Sequence, residues 1–297
     1  MAIFTAADAI LDAATIRQVT QADHQTNQEI RKAMTSGGNT VAQVSGKASG
    51  EVTSFTSGDL AGLLALNTNT FISAGLYVAS GTVTIPYKAR ADGGSYASGS
   101  NHPAITGAKA LIVPTSIEAS QDADHATCQS DVHWLSSDGL TQGATDTATN
   151  ALAAQSFNKE YALGPMYINA SEISGVQSVR ITPGIEVVKP PLGRGSTFPS
   201  QASLKNIIPT IEITVNDYAA FATEVGDFTA MTSAVAYLRL RADAGVYGAL
   251  ASVNISFTFA GGLIDVSTVS VSGNDDGSGT IMLHGKTLTT SVAATIP

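Results

Sequence analysis

The chain is poor in the features that usually label a protein chemically. Its 297 residues hold one cysteine, Cys128, which excludes an intrachain disulfide framework. Charged residues make up 13%, well below the roughly one quarter usual in soluble globular proteins. Basic residues are scarcest: 15 Lys plus Arg stand against 24 Asp plus Glu, a net charge of −9. An acidic chain without a basic cluster is a poor candidate for gripping phosphates. No apolar run approaches the ~18 residues needed to span a bilayer. The first basic residue is Arg17, so the start lacks the charged region of a signal peptide, and synthesis without an export signal is expected. No internal repeat of the length that builds solenoids or propellers is present, which also argues against a fibre or adhesin.

What is present is small and apolar. Hydrophobic residues reach 43%, and Ser, Thr, Ala and Gly supply most of the remaining length. This mixture suits β-structure with many turns, and the shortage of solvating charge suggests surface covered by partners. Period-two alternation marks strands: Val83, Ile85 and Tyr87; Ile211, Ile213 and Val215; Leu238 and Leu240; and Val253, Ile255, Phe257 and Phe259. Such one-face-buried strands predict a mainly β fold, an antiparallel β-sandwich or barrel with one or two short flanking helices. One helix follows the strand ending near Thr53. The other is expected around 216–225, capped by Asn216 or Asp217 and burying Tyr218, Phe221 and Val225.

The first residues read differently. Thr5 with Asp8 suggests a capping box, followed by Ile10, Leu11, Ala14 and Ile16 at near-helical spacing. A second stretch, Gln25 to Met34, carries Glu29, Arg31 and Lys32 and stops at Gly37-Gly38. The spacing therefore predicts an N-terminal helical arm over 1–38 and a β domain over 39–297. Long loops are expected at about 136–160 and 189–206, in contact with a neighbouring subunit.

Motifs for chemistry are weak. "SGNDDGSG" (272–279) bunches Asn274, Asp275 and Asp276 but lacks the alternating ligands and closing carboxylate of an EF-hand, so it reads as a hairpin tip. "HATCQSDVHW" holds His125, Cys128, Asp131 and His133, yet on one strand Cys128 points away from the other three, and no metal site is assigned. No nucleophile elbow occurs, and "GRGSTF" (193–198) precedes no helix that could cradle a phosphate. No catalytic or cofactor residue is assigned, and enzymatic activity is not expected.

The informative stretch is "SGKASGEVTSFTSGDLAGLL" (45–64). One alternating face holds Val44, Gly46, Ala48, Gly50 and Val52; the other holds Lys47, Ser49, Glu51 and Thr53. A strand so thin buries little alone, which makes Gly46, Ala48, Gly50 and Val52 candidates for pairing with another copy. Thr56 is placed to cap the following helix and Asp59 to sit in its first turn, ahead of the stripe Leu60, Leu63 and Leu64. A strand running into such a helix, with the C-terminal "TIMLHGKTLTTSVAATIP" after a Gly-rich turn, resembles the tail tube (major tail) proteins of long-tailed bacteriophages over 41–90 and 207–297.

That resemblance implies a homo-oligomer: hexameric rings stacked head to tail into a tube, joined to other tail proteins. Genome DNA would pass through its channel. It further implies a place in the virion tail after synthesis in the host cytoplasm, with no membrane and no cofactor. Glu51, Asp122 and Asp124 are the candidate acidic groups near the channel, where they would repel phosphate and favour sliding. A connector, a baseplate part or a capsid decoration protein of similar β fold is the competing expectation.

Overall fold

The period-two segments fold as strands, and so do the N-terminal residues expected to be helical. The computed structural model describes residues 3–34, 41–48, 50–90, 102–152, 159–190, 196–218, 221–222, 230–241, 252–270 and 277–297. The chain opens with β1 (Ile3–Ala6), β2 (Ala9–Leu11), β3 (Ala14–Ile16), β4 (Val19–Gln25) and β5 (Gln28–Met34). Next come β6 (Val41–Ala48), β7 (Val52–Ser57), the helices α1 (Leu60–Asn69) and α2 (Phe71–Ala74), and β8 (Leu76–Val78). The middle supplies β9 (Val83–Arg90), β10 (His102–Gly107), β11 (Ala110–Ser120), β12 (Thr127–Trp134) and β13 (Thr145–Asn150). Then follow β14 (Glu160–Ile168), β15 (Ser171–Glu172), β16 (Val176–Thr182), β17 (Ile185–Val188) and β18 (Ser203–Ile207). Last are β19 (Thr210–Val215), β20 (Ala230–Arg241), β21 (Asn254–Ser270) and β22 (Ser278–Ala294).

The expected N-terminal helices are replaced by hairpins, for a local reason. Asp12 (φ 49°) and Ala13 (φ 70°) both take left-handed backbone, the signature of a two-residue turn that joins β2 to β3 and pairs Leu11 with Ala14. The apolar residues that mimic a helical stripe are instead the inward positions of that hairpin, with Ala9, Leu11 and Ile16 fully buried. Gln25 to Met34 is likewise strand, interrupted at Asn27 (φ 43°).

Two sheets carry the body. A twelve-stranded antiparallel sheet runs β15-β14-β20-β21-β22-β19-β16-β11-β12-β7-β4, with β8 added beside β11. A six-stranded sheet runs β13-β10-β9-β2-β3, with β1 on β9. The large sheet curls until β14 lies against β11 and β16, and the Ala126 N–H, in the turn after β11, donates to Tyr161 O of β14 at 2.6 Å. One cross-strand row threads its core: Ile264, Leu283, Ile211, Ile181, Ile117, Cys128 and Ser57 lie opposite one another on β21, β22, β19, β16, β11, β12 and β7. Every member is buried. Burial pushes the Cys128 thiol up to about 12, so this cysteine acts as a small core residue.

The two longest strands change face midway. Ile255, Phe257 and Phe259 point inward on odd numbers, whereas Ile264 is buried on an even one. The change falls at Gly261 (φ 66°) and Gly262 (φ 147°), where any Cβ on Gly262 would lie 1.9 Å from His284 O. Only glycine permits this bend.

Between the sheets sit the helices: α1 packs on β3 and β22, α2 on β11 and β22. Leu60, Leu63, Leu64, Phe71 and Ile72 are buried there, as the apolar stripe requires. The cap of α1 is Asp59 itself, not Thr56. Its carboxylate accepts the Gly62 N–H at 2.9 Å and, from its other oxygen, the Arg17 N–H at 3.1 Å. Thr56 stays in β7, where its carbonyl accepts from Thr20 Oγ1 at 3.5 Å. A helical turn also begins near Tyr218: the Phe221 N–H donates to Asp217 O at 3.4 Å and Phe221 is buried, whereas Val225 lies outside the described residues.

Removing the cap tests this arrangement. Asp59→Ala is expected to cost about 1–2 kcal/mol of stability in urea unfolding, whereas Thr56→Ala, which touches no helix donor, should stay within about 0.5 kcal/mol. Equal losses would show that Asp59 does not hold α1.

Candidate functional site

The most unusual feature is a hairpin that leaves the sheet. Among the described residues, strand β4 continues into β5 with a break at 26–27, and β6 is followed by β7 with a break at 50–51, where Gly50 has φ 102°. Below the breaks β4 and β7 belong to the large sheet, with Gln25 opposite Val52. Above them β5 and β6 pair with each other, from Gln28 opposite Ala48 to Met34 opposite Val41, and with no other described strand. Seven residues of strand extend about 24 Å.

This arrangement divides the four residues expected on one intersubunit strand. Gly46 and Ala48 lie on β6 in the projecting hairpin, opposite Ile30 and Gln28. Gly50 occupies the break. Val52 lies on β7 with Gln25 on one side and His133 on the other, so its ladder is filled within its own chain.

The faces of β7 are also the reverse of the expected ones. Glu51, Thr53, Phe55 and Ser57 are buried, while Val52, Ser54 and Thr56 are half-exposed. Phe55, the one large apolar side chain between Val52 and Ser57, is the signal that reveals the inward parity.

Glu51 therefore does not face a channel. It is 2% exposed, and its carboxylate accepts the Ala144 N–H at 3.0 Å and a hydrogen bond from Gln142 Nε2. Its carbonyl accepts the Trp134 N–H at 3.1 Å. Next to it, Trp134 Nε1 donates to Thr53 Oγ1 at 2.7 Å, and His24 Nδ1 meets the same hydroxyl at 2.8 Å. Lys189, just past β17, reaches over the break: a Cβ on Gly50 would sit 2.4 Å from its Nζ. Burial lowers the Lys189 pKa, and the Glu51 carboxylate partly offsets this. Burial, with the Lys189 charge second, lowers His133 to about 4, and its Nδ1 is buried without a hydrogen-bond partner.

Asp122 and Asp124 lie far from this base. Both are exposed in the turn between β11 and β12 rather than on a strand, and the Asp124 carbonyl accepts from Arg241 Nη1 at 2.7 Å. The three acidic residues are thus not brought together.

The two long loops dock on each other within the chain. Thr197 and Phe198 donate their N–H groups to Gly139 O at 2.8 and 3.0 Å, and the Ser136 N–H donates to Pro199 O at 2.8 Å. Lys109 Nζ donates to Ser200 O at 2.6 Å. Asp138 organises its own turn: the N–H groups of Thr141 and Leu140 and the Thr141 hydroxyl all donate to it, holding its carboxyl well below the usual range. The stretch 136–160 also contains β13, paired with β10, and 189–206 contains most of β18.

Among the described residues, no three His, Cys, Asp or Glu side chains gather as metal ligands. Cys128 belongs to the core row and Asp131 accepts from Ser54 Oγ at 2.6 Å. Asn274, Asp275 and Asp276 lie outside the described residues, between the ends of β21 and β22.

Two measurements probe the base. Gly50→Ala combines left-handed backbone with a collision at Lys189 and should cost about 1–3 kcal/mol in urea unfolding. A loss under half a kcal/mol would mean the break is loosely held. His133 contributes to pH dependence because its folded value, about 4, lies below the ordinary 6.5. The unfolded chain then takes up this proton first, so stability falls as pH drops from about 6.5 to about 4, by at most about 3 kcal/mol. His133→Gln should lose less stability than the parent between pH 7 and 4.5; parallel pH curves would refute the assignment.

No family model matches this chain, and no curated protein matches its sequence.

Proposed function

We propose that the chain is a structural virion subunit that self-assembles into stacked rings, forming a tail tube through which DNA passes. The observation that carries the reading is the β5–β6 hairpin, a ribbon extending about 24 Å beyond the sheet with an open edge on each strand among the described residues. An open edge presents unpaired backbone donors and acceptors, and a soluble chain leaves one in place at the risk of pairing with other chains. A subunit whose work is to join copies of itself uses that property. The low charge content and small-residue composition support the same reading, since surface covered by neighbours needs little solvating charge. No helix among the described residues is long and apolar enough to cross a membrane.

Electron microscopy of the negatively stained protein should show rings or tubes of one diameter. Replacing residues 28–48 with a short Gly/Ser turn should leave the thermal transition of the body in place and abolish the tubes. Monodisperse monomers at high concentration would refute the proposal, and closed rings that never stack would favour a connector.

A further inference from the structure

We propose that the β5–β6 hairpin of one copy docks on an acidic seam of the next copy, beside the turn between β11 and β12, joining copies head to tail. This contact rests on the reading of the chain as a self-assembling subunit and names the surfaces that meet.

The hairpin is basic in an acidic protein. Residues 28–48 carry Arg31, Lys32 and Lys47 against Glu29, a net of +2; the chain carries −9, so the remainder carries −11. A positive ribbon on a negative body favours a second body as partner, because opposite potentials steer encounter and fix register.

The seam lies where the curled sheet fails to close. Tyr161 O accepts from Ala126 and Met166 O accepts from Ile173 N–H at 2.8 Å. Between these two anchors, Ala162 and Leu163 pair only with β20 among the described strands, and the ladder shifts register across residues 164–165. Two adjoining hollows of about 450 and 400 Å³ follow this open edge. Asp122, Asp124 and Glu172 line them together with Arg239 and Arg241, a net of −1. Arg241 donates to the Asp124 carbonyl, and neither Asp122 nor Asp124 forms a salt bridge with a described residue. An open strand edge beside exposed carboxylates suits an extended, basic ribbon, whose backbone supplies affinity and whose charges select the site.

The two surfaces lie at opposite poles. The hairpin leaves the sheet beside His133, near the end of β12, and the acidic turn precedes Thr127, where β12 begins. The six steps of β12 from Thr127 to His133 separate them by about 20 Å. A copy therefore cannot readily close this contact on itself, and two different patches meeting between copies form a heterologous interface that propagates as rings or filaments.

The test uses the full chain. Arg31→Glu/Lys32→Glu/Lys47→Glu and, separately, Asp122→Lys/Asp124→Lys should each raise the concentration for half-assembly at least ~10-fold at low salt. Combining both sets in one chain should recover most of the loss. A second measurement leaves most charges in place: Lys47→Cys/Asp124→Cys treated with a short bismaleimide should give a ladder of linked copies, with buried Cys128 silent in the parent. A ladder without tubes keeps this contact and removes the tube. Tubes that ignore both charge reversals and give no ladder overturn the contact and keep the tube. Failure of the combined charge swap to recover assembly overturns it as well.

Discussion

Register is the constraint on which the rest of this structure depends. The row from Ile264 to Ser57 crosses seven strands, and a slip of one residue in any strand would turn its apolar positions out of the core. Because the row is continuous, the positions of β11, β12 and β7 follow from those of β19 and β22. The hairpin base, the acidic turn and the helix cap all hang from β7, β11 and β12, so their separations are set by the same ladder.

The row also explains how so few large side chains hold so many strands. Its members are Ile, Leu, Cys and Ser, and the helices fill the space between sheets with Leu and Phe. Polar groups buried near it are satisfied rather than excluded: Ser57 donates to Arg17 O at 2.6 Å and Asp59 collects two backbone donors. The core tolerates Ser57 and Thr53 because each of these hydroxyls has a partner.

Strands with uninterrupted alternation, at Ile211 to Val215 and Ile255 to Phe259, were legible in the sequence because the buried inward face is apolar and the other carries only Ser, Thr and Glu. Alternation misleads where left-handed residues reset it. Asp12 and Ala13 fold a hairpin whose apolar spacing passes for a helix, and Gly50 breaks the line that places Glu51 on an outer face. The turn at Asp12 and Ala13 is not written in residue type strongly enough to read in advance, since Ala at a positive φ is rare. The capped helix after β7 was legible in kind. Its cap fell to Asp59 because β7 runs through Thr56 and Ser57 before the chain turns. The pairing of the two long loops was not legible, because backbone carbonyls such as those of Gly139 and Pro199 carry no signature of the donors they will meet.

The breaks at Asn27 and Gly50 have a kinetic consequence. Every ladder contact of the β5–β6 hairpin joins residues at most twenty apart in the chain, whereas the core row joins strands from opposite ends of the protein. Local and long-range contacts of this kind form and melt as separate cooperative units. The hairpin's ladder needs none of the core row's contacts, which divides the formation of the fold from the adoption of its outermost ribbon.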